Sequence, residues 1–273
     1  MKIIKIFATL LMLAPLMVSA GSHDDSSDDN NSRRPRACRD LPTYQELRDA
    51  LGNANALDTS GLDNQSWGAI VSRDGVVCAV AFTGDALGDQ WPGSRAIAGQ
   101  KANTANSYSL PGVAVSTALL YAPTDQPSAA NPIGGNFKGL QFSNPVNPKV
   151  AYRGPSRRWG TAHDPMVGRR IGGVNVFGGG LALYDSEGTL LGGLGVSGDT
   201  SCADHNVAWL TRQELLLDYV PPIALLSGDA TRPDNIVIDA FNGDGDGKTN
   251  GFEQADCPFS TDPTALPVVR IVN

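Results

Sequence analysis

The stretch Val174–Asp204, VNVFGGGLALYDSEGTLLGGLGVSGDTSCAD, decides the reading of this chain. Ten of the 28 residues from Ile171 to Gly198 are glycine, yet apolar residues alternate or run in short blocks through them, which excludes a flexible linker. Leu181 and Leu183 lie on one side of Asp185-Ser186-Glu187-Gly188, and Leu190, Leu191, Leu194 and Val196 on the other. Two apolar runs joined by a short polar turn ending in glycine predict a β-hairpin. Glycines inside strands mark places where another backbone or a flat ligand comes close. Ser197–Ser201 then leads into a helix, with Ser201 as its expected N-cap and Asp204 suited to the positive helix start.

Outward from that hairpin, the chain repeats the pattern once. Trp67–Ser72 and Val76–Phe82 flank Arg73-Asp74-Gly75, a second hairpin signal, so the sheet is expected to be antiparallel. Pro42–Leu47 opens a helix with Thr43 as N-cap and Glu46 as its capping-box partner, ending near Gly52. A second helix runs from Arg95 to about Tyr108. Its Ala98, Ala102 and Ala105 form a small-residue face fit for close packing. A third, expected from Cys202 to Tyr219, carries His205, Trp209 and Arg212 on one face. Between the second helix and the decisive hairpin lies Pro111–Arg170, with eight prolines and a short helical candidate near Val115–Tyr121; a connection this long is commonly functional or mobile.

Two blocks carry a family resemblance. FGGGLALYDSEGTLLGGLGVSG followed by an acidic helix start, and Ser94–Ala105 with its Lys-Ala-x-Thr-Ala core, resemble the GlcG/HbpS-like haem-binding family in type and in order. The resemblance covers roughly Leu41 to Val220. It implies an α+β fold in which about five antiparallel strands are flanked by helices in a profilin-like arrangement. It also implies homo-oligomers and a small-molecule ligand of the haem class. Compact members have a shorter connection in place of Pro111–Arg170, which leaves pocket shape and oligomer contacts open. The candidate cofactor-binding residues are His205, Trp209, Lys101 and Tyr108. A neutral imidazole beside an indole suits an axial haem ligand, and would equally serve packing or an oligomer interface. Lys101 reads as a ligand or interface residue, or as a solvated lysine. His163, in the long connection, reads as a surface residue.

The ends of the chain give the rest. Met1–Ala20 has two early lysines, an apolar run and Val18-Ser19-Ala20, the pattern of a secretory signal peptide. The run is too short for a membrane span, so a secreted or periplasmic protein with no span in its mature form is expected. Residues 21–37 read as a disordered linker, 38–225 as the family-like domain and 226–273 as a C-terminal appendage. A net charge of −7 and a pI near 4.9 argue against nucleic acid as a partner. Four cysteines in an exported chain imply two disulfides, with three connectivities open; Cys202 with Cys257 would staple the appendage to the third helix and leave Cys38 for Cys78. In the appendage, Asn242, Asp244, Asp246, Asn250 and Glu253 stand at positions 1, 3, 5, 9 and 12 of a Ca²⁺ loop, with the Lys248 carbonyl at position 7. Position 1 is usually Asp, and Thr249 replaces a branched apolar residue. An acidic glycine-rich turn without metal has the same composition. Nothing completes a catalytic motif. Gly195–Gly198 does not continue into Gly-x-Ser-x-Gly, and the glycine clusters lack the Lys-Ser/Thr of a phosphate loop. Three functions are therefore carried forward: a haem-type binding module, a calcium-stabilised interaction protein, and an enzyme on a small acid with Lys101 as anion anchor.

Overall fold

Each strand of the sheet is buried on both faces, and the reason is a layer of helix on either side. The computed structural model describes residues 34–125, 135–223, 226–238, 251–254 and 256–272. Helix α1 spans Tyr44–Leu57, strands β1 and β2 span Trp67–Ser72 and Val77–Phe82, and helix α2 spans Ser94–Tyr108. Strands β3 and β4 span Gly180–Tyr184 and Leu190–Ser197, and helix α3 spans Ser201–Glu214. The sheet is antiparallel throughout, in the order β2-β1-β4-β3.

Both predicted hairpins are present. Gly75 and Gly188 close their turns at φ of 77° and 75°, a left-handed conformation that glycine adopts without a Cβ penalty. Asp185 Oδ1 accepts the Glu187 and Thr189 N–H groups, fixing the second turn. Among the described residues the sheet has four strands rather than about five. The proline-rich connection supplies single bridges (Val76 with Arg170, Val146 with Gly172) and short helical turns at Tyr121–Asp125, Leu140–Ser143 and Pro148–Ala151, because proline removes the donors a ladder needs.

Strand alternation divides the core in two. On one side Leu47 and Leu51 of α1 and Val207, Ala208 and Trp209 of α3 meet Ile70, Leu181, Leu183, Leu194 and Val196. On the other, Ala98 and Ala102 of α2 meet Trp67, Ala69, Val71, Val80, Met166 and Ile171. The glycines of β4 serve that second layer. A Cβ on Gly195 would stand 2.0 Å from Ala98 O, and one on Gly193 2.3 Å from Ala102 O. The close approach expected at these glycines is therefore that of a helix backbone, and a flat ligand finds that face already filled.

Local details move some boundaries. The Thr43–Glu46 capping box forms as predicted, but α1 continues past Gly52 to Leu57. Thr200, not Ser201, caps α3, accepting from Ala203 N–H, while Ser201 Oγ accepts the Gly178 N–H at 2.6 Å. Leu216 at φ 57° helps end α3 five residues before Tyr219. Arg34 donates to the Leu41 and Pro42 carbonyls and Arg36–Cys38 forms a helical turn, so the described chain is tied down from within the expected linker. The signal peptide and the rest of the linker lie outside the described residues. Among the described residues, no helix is long and apolar enough to cross a membrane.

The cysteines pair as Cys38–Cys78 and Cys202–Cys257. The second closes a loop with a sequence separation of 55, a constraint worth about 4 kcal/mol in the chain-entropy account. Of the candidate calcium ligands, Asn242, Asp244, Asp246, Lys248 and Asn250 lie outside the described residues; Glu253 accepts the Gly251 N–H, and no cluster of three metal-holding side chains occurs among the described residues.

Candidate functional site

Helix α3 presents His205, Trp209 and Arg212 in one stack. The His205 and Trp209 ring centroids are 5.8 Å apart, and Arg212 Cζ stands 4.7 Å from the Trp209 ring. All three are fully enclosed. What encloses them on the outer side is the chain's own C-terminal segment. Ile236 N–H donates to His205 Nε2 at 3.1 Å, with Asn235 Oδ1 3.2 Å from the same nitrogen. Trp209 Nε1 donates to Pro267 O at 3.0 Å. Arg212 makes a two-pronged ion pair with Asp234 at 2.5 and 2.9 Å, with both side chains wholly buried.

Electrostatics follow from that enclosure. Burial pushes the His205 imidazole down to about 4, against an opposing pull from Asp234 and with Arg212 adding to the drop. It is neutral at pH 7, as an iron ligand must be. Nδ1 has no hydrogen-bond partner, but Nε2 is engaged and the ring is 0% exposed. In this arrangement His205 does not fit an open axial ligand.

Lys101 has a third role beyond the two expected of it. From α2 its Nζ reaches past β4, donating to Val196 O at 3.0 Å and to Asp204 Oδ2 at 2.7 Å on α3, with both side chains buried. Asp204 Oδ1 accepts the Asp199 N–H. Burial dominates both groups, pushing the Asp204 carboxyl up to about 6 and the Lys101 ammonium down. The pair ties the two helix layers together through the sheet. The ammonium that an anion anchor would offer is already paired.

Tyr108 ends α2 half-buried against Val115, Leu120, Val174 and Val176, a separate apolar cluster from that of Trp209; burial raises its hydroxyl. His163 is exposed, as expected. The structure thus brings His205 and Trp209 together and places Lys101 beside α3's first turn, while Tyr108 belongs elsewhere. Sequence reasoning did not point to Asp234, Asn235 and Ile236. The one available signal was Arg212, a charge on a helix face otherwise suited to burial, which needs an acidic partner from outside the helix.

The neutral histidine gives a testable pH dependence. Its folded value near 4 lies below an unfolded value of about 6.5, so the unfolded chain takes up the proton first as pH falls. The stability it contributes is full above about 6.5 and is lost toward 4, roughly 3 kcal/mol in all. Asp204, raised to about 6, acts in the opposite direction over nearly the same window, being protonated first in the folded chain. The two are separated by difference. Denaturant titrations at pH 7 and pH 4 should show wild type losing roughly 3 kcal/mol relative to His205→Gln; a difference that stays flat with pH would contradict the buried neutral ring.

Comparison with known proteins bears on the same region. No curated protein matches the chain. Among solved structures, protein ORFY of Klebsiella pneumoniae is similar at 18% identity, covering 63% of this chain and 86% of its own, with a TM-score of 0.41. A PduOC:heme complex is similar at 22% identity, covering 62% of this chain and 89% of its own, also with a TM-score of 0.41. The family described as "Haem degrading protein HbpS-like" matches residues 62–211, a span that begins just before β1 and ends within α3. Since that match takes in more than half of the chain and all four strands, the protein belongs to the HbpS-like family.

Proposed function

We propose that this protein is an exported binding module for haem or a haem-like iron ligand. The observation that carries the reading is the family match over residues 62–211, which contains the whole sheet and most of α3. The two disulfides agree with an oxidising compartment. His205, with Trp209 beside it, is the proposed iron-side contact: a neutral imidazole is the required form, and the axial ligand is one of the levers by which a protein tunes haem iron. In the enclosed arrangement it is withheld, so binding by the oxidised chain is expected to be weak. Self-association belongs to the same proposal and is read by light scattering with and without ligand.

The test is titration of hemin into the full-length protein, followed in the Soret region. A saturable shift is expected, with His163→Ala indistinguishable from wild type. Absence of any shift up to solubility, both in the oxidised protein and after reduction of its disulfides, would remove the haem reading.

A further inference from the structure

Residues 145–172 of the proline-rich connection leave the sheet and close on themselves. Val146 bridges Gly172, and Asn147 N–H donates to Ile171 O. The returning limb clips onto the edge strand β2, where Gly168 N–H donates to Val77 O and Val77 N–H to Arg169 O. Val150, Ala151, Met166 and Ile171 join the α2 side of the core, and Arg95 of α2 holds both Ala151 O and the Asp164 carboxylate. Asp164 is the only acidic residue in this stretch, and it is buried in that pair. Against it stand Lys149, Arg153, Arg157, Arg158, Arg169 and Arg170. Six cations less one carboxylate give the stretch +5 in a chain of net charge −7, which leaves −12 on the remainder. The acidic total thus conceals a basic face.

Most of these cations are unspent. Arg95, Lys101, Arg212, Arg232 and Arg270 each hold an acid, and Arg170 is paired with Asp74. Lys149, Arg153, Arg157, Arg158 and Arg169 are exposed and make no side-chain hydrogen bond or ion pair among the described residues. Their backbone is nonetheless fixed. Trp159 Nε1 donates to Arg153 O at 2.9 Å, its ring lies 4.7 Å from Arg95 Cζ, and Arg158 N–H donates to Pro155 O. Tyr152–Arg158 are exposed one after another, so the cations stand on a ridge rather than line a groove. Such a ridge suits a flat array of anions. Duplex nucleic acid is read by a helix or ribbon that enters its groove, and a single strand needs several stacking rings. Here Trp159 is half-buried beneath Arg95, and Tyr152, 65% exposed between Lys149 and Arg153, is the open ring. A lone tyrosine among cations fits the headgroup level of a bilayer, and the guanidinium fork fits phosphate.

We propose that residues 149–158, with Arg169, dock this protein peripherally on the anionic headgroup surface of a lipid bilayer. The arginines take headgroup phosphates, Tyr152 lies among the headgroups, and the ridge rests on the bilayer without crossing it. The inference is independent of the haem reading and stands or falls without it.

Co-sedimentation of the full-length oxidised protein with lipid vesicles tests it. Vesicles of phosphatidylglycerol and phosphatidylcholine in equal parts should carry the protein down, those of phosphatidylcholine alone should not, and added salt should release it. Each Lys or Arg near an anionic leaflet is worth about a fivefold gain, so Arg157→Gln/Arg158→Gln should weaken binding at least about tenfold. Arg48→Glu is the control. It changes the net charge by the same amount from an exposed position on α1, which packs on the other side of the sheet, and should stay within about twofold of wild type. Should the arginine pair fail to fold, Lys149→Gln/Arg169→Gln takes its place with the same expectation. Wild type that stays in solution with anionic vesicles at low salt would overturn the proposal, as would an equal loss in Arg48→Glu. A single-stranded oligonucleotide or dextran sulfate that binds at lower concentration than the vesicles, through Arg157 and Arg158, would overturn the bilayer assignment in favour of a linear polyanion.

Discussion

Gly195→Ala should strip the domain of a large part of its stability. The new methyl would sit 2.0 Å from Ala98 O and 2.5 Å from Ala102 N. Both are backbone atoms of α2, so no rotamer change relieves the clash. The helix must retreat, and it cannot do so at one point, because a Cβ on Gly193 would stand 2.3 Å from Ala102 O and one on Gly180 2.7 Å from Lys101 O, so α2 is seated closely at these positions too. Overpacking a well-filled core costs about 1–3 kcal/mol and more where backbone must move. For a chain of this size that lowers the melting temperature by roughly 2–12 °C, and more where the helix backbone has to move. Gly52→Ala is the matched control. It lies within α1, and a methyl added there would meet nothing within 4 Å, so it should raise stability by about 0.4–1 kcal/mol. Thermal melts by circular dichroism compare the two. If Gly195→Ala melts within about 2 °C of wild type, the close seating of α2 on β4 is wrong.

Asp234→Ala should be comparably damaging for a different reason. It leaves the Arg212 guanidinium, wholly buried and stacked on Trp209, without its counter-charge. Among the described residues, the acceptor that remains is Ala182 O at 3.2 Å. Breaking a buried pair by removing one partner costs about 3–5 kcal/mol. Replacing both, as Arg212→Met with Asp234→Leu, removes the uncompensated charge and should recover most of that loss. Urea titrations give both values. A cost below about 1 kcal/mol for Asp234→Ala would mean that the segment does not enclose Arg212.

Much of the fold was legible because its signals are local. Hairpin turns at Asp74-Gly75 and Asp185–Gly188 need their glycines within a few residues of the apolar runs they join. The Thr43–Glu46 box is complete within four positions. The cysteine pairing followed the expected staple, and the resemblance supplied the layer order. What the sequence concealed is long-range. The glycines of β4 look alike whether they admit a macrocycle or a helix, and only Ala98 and Ala102 of α2 decide which. Lys101 and Asp204 are 103 residues apart, and nothing near either one names the other. The spacing of His205, Trp209 and Arg212 predicts a shared face. That spacing is the same when the face meets a ligand and when it meets residues 234–238 and 267 of the same chain. The fifth strand came from the resemblance alone, and the described part of the proline-rich connection does not build it.

The claim on which the description of the candidate site depends is that the C-terminal segment holds His205 inside. The Ile236 amide reports on it, since its N–H is shared between His205 Nε2 at 3.1 Å and the neighbouring Asn235 Oδ1 at 2.9 Å. Native-state hydrogen exchange of the oxidised full-length protein, read at that single amide, should show protection of at least about a thousandfold, equivalent to roughly 4 kcal/mol. His205→Ala should lower it. An Ile236 amide that exchanges as fast as an unstructured peptide would contradict the account, and would leave His205 open to solvent in the resting chain.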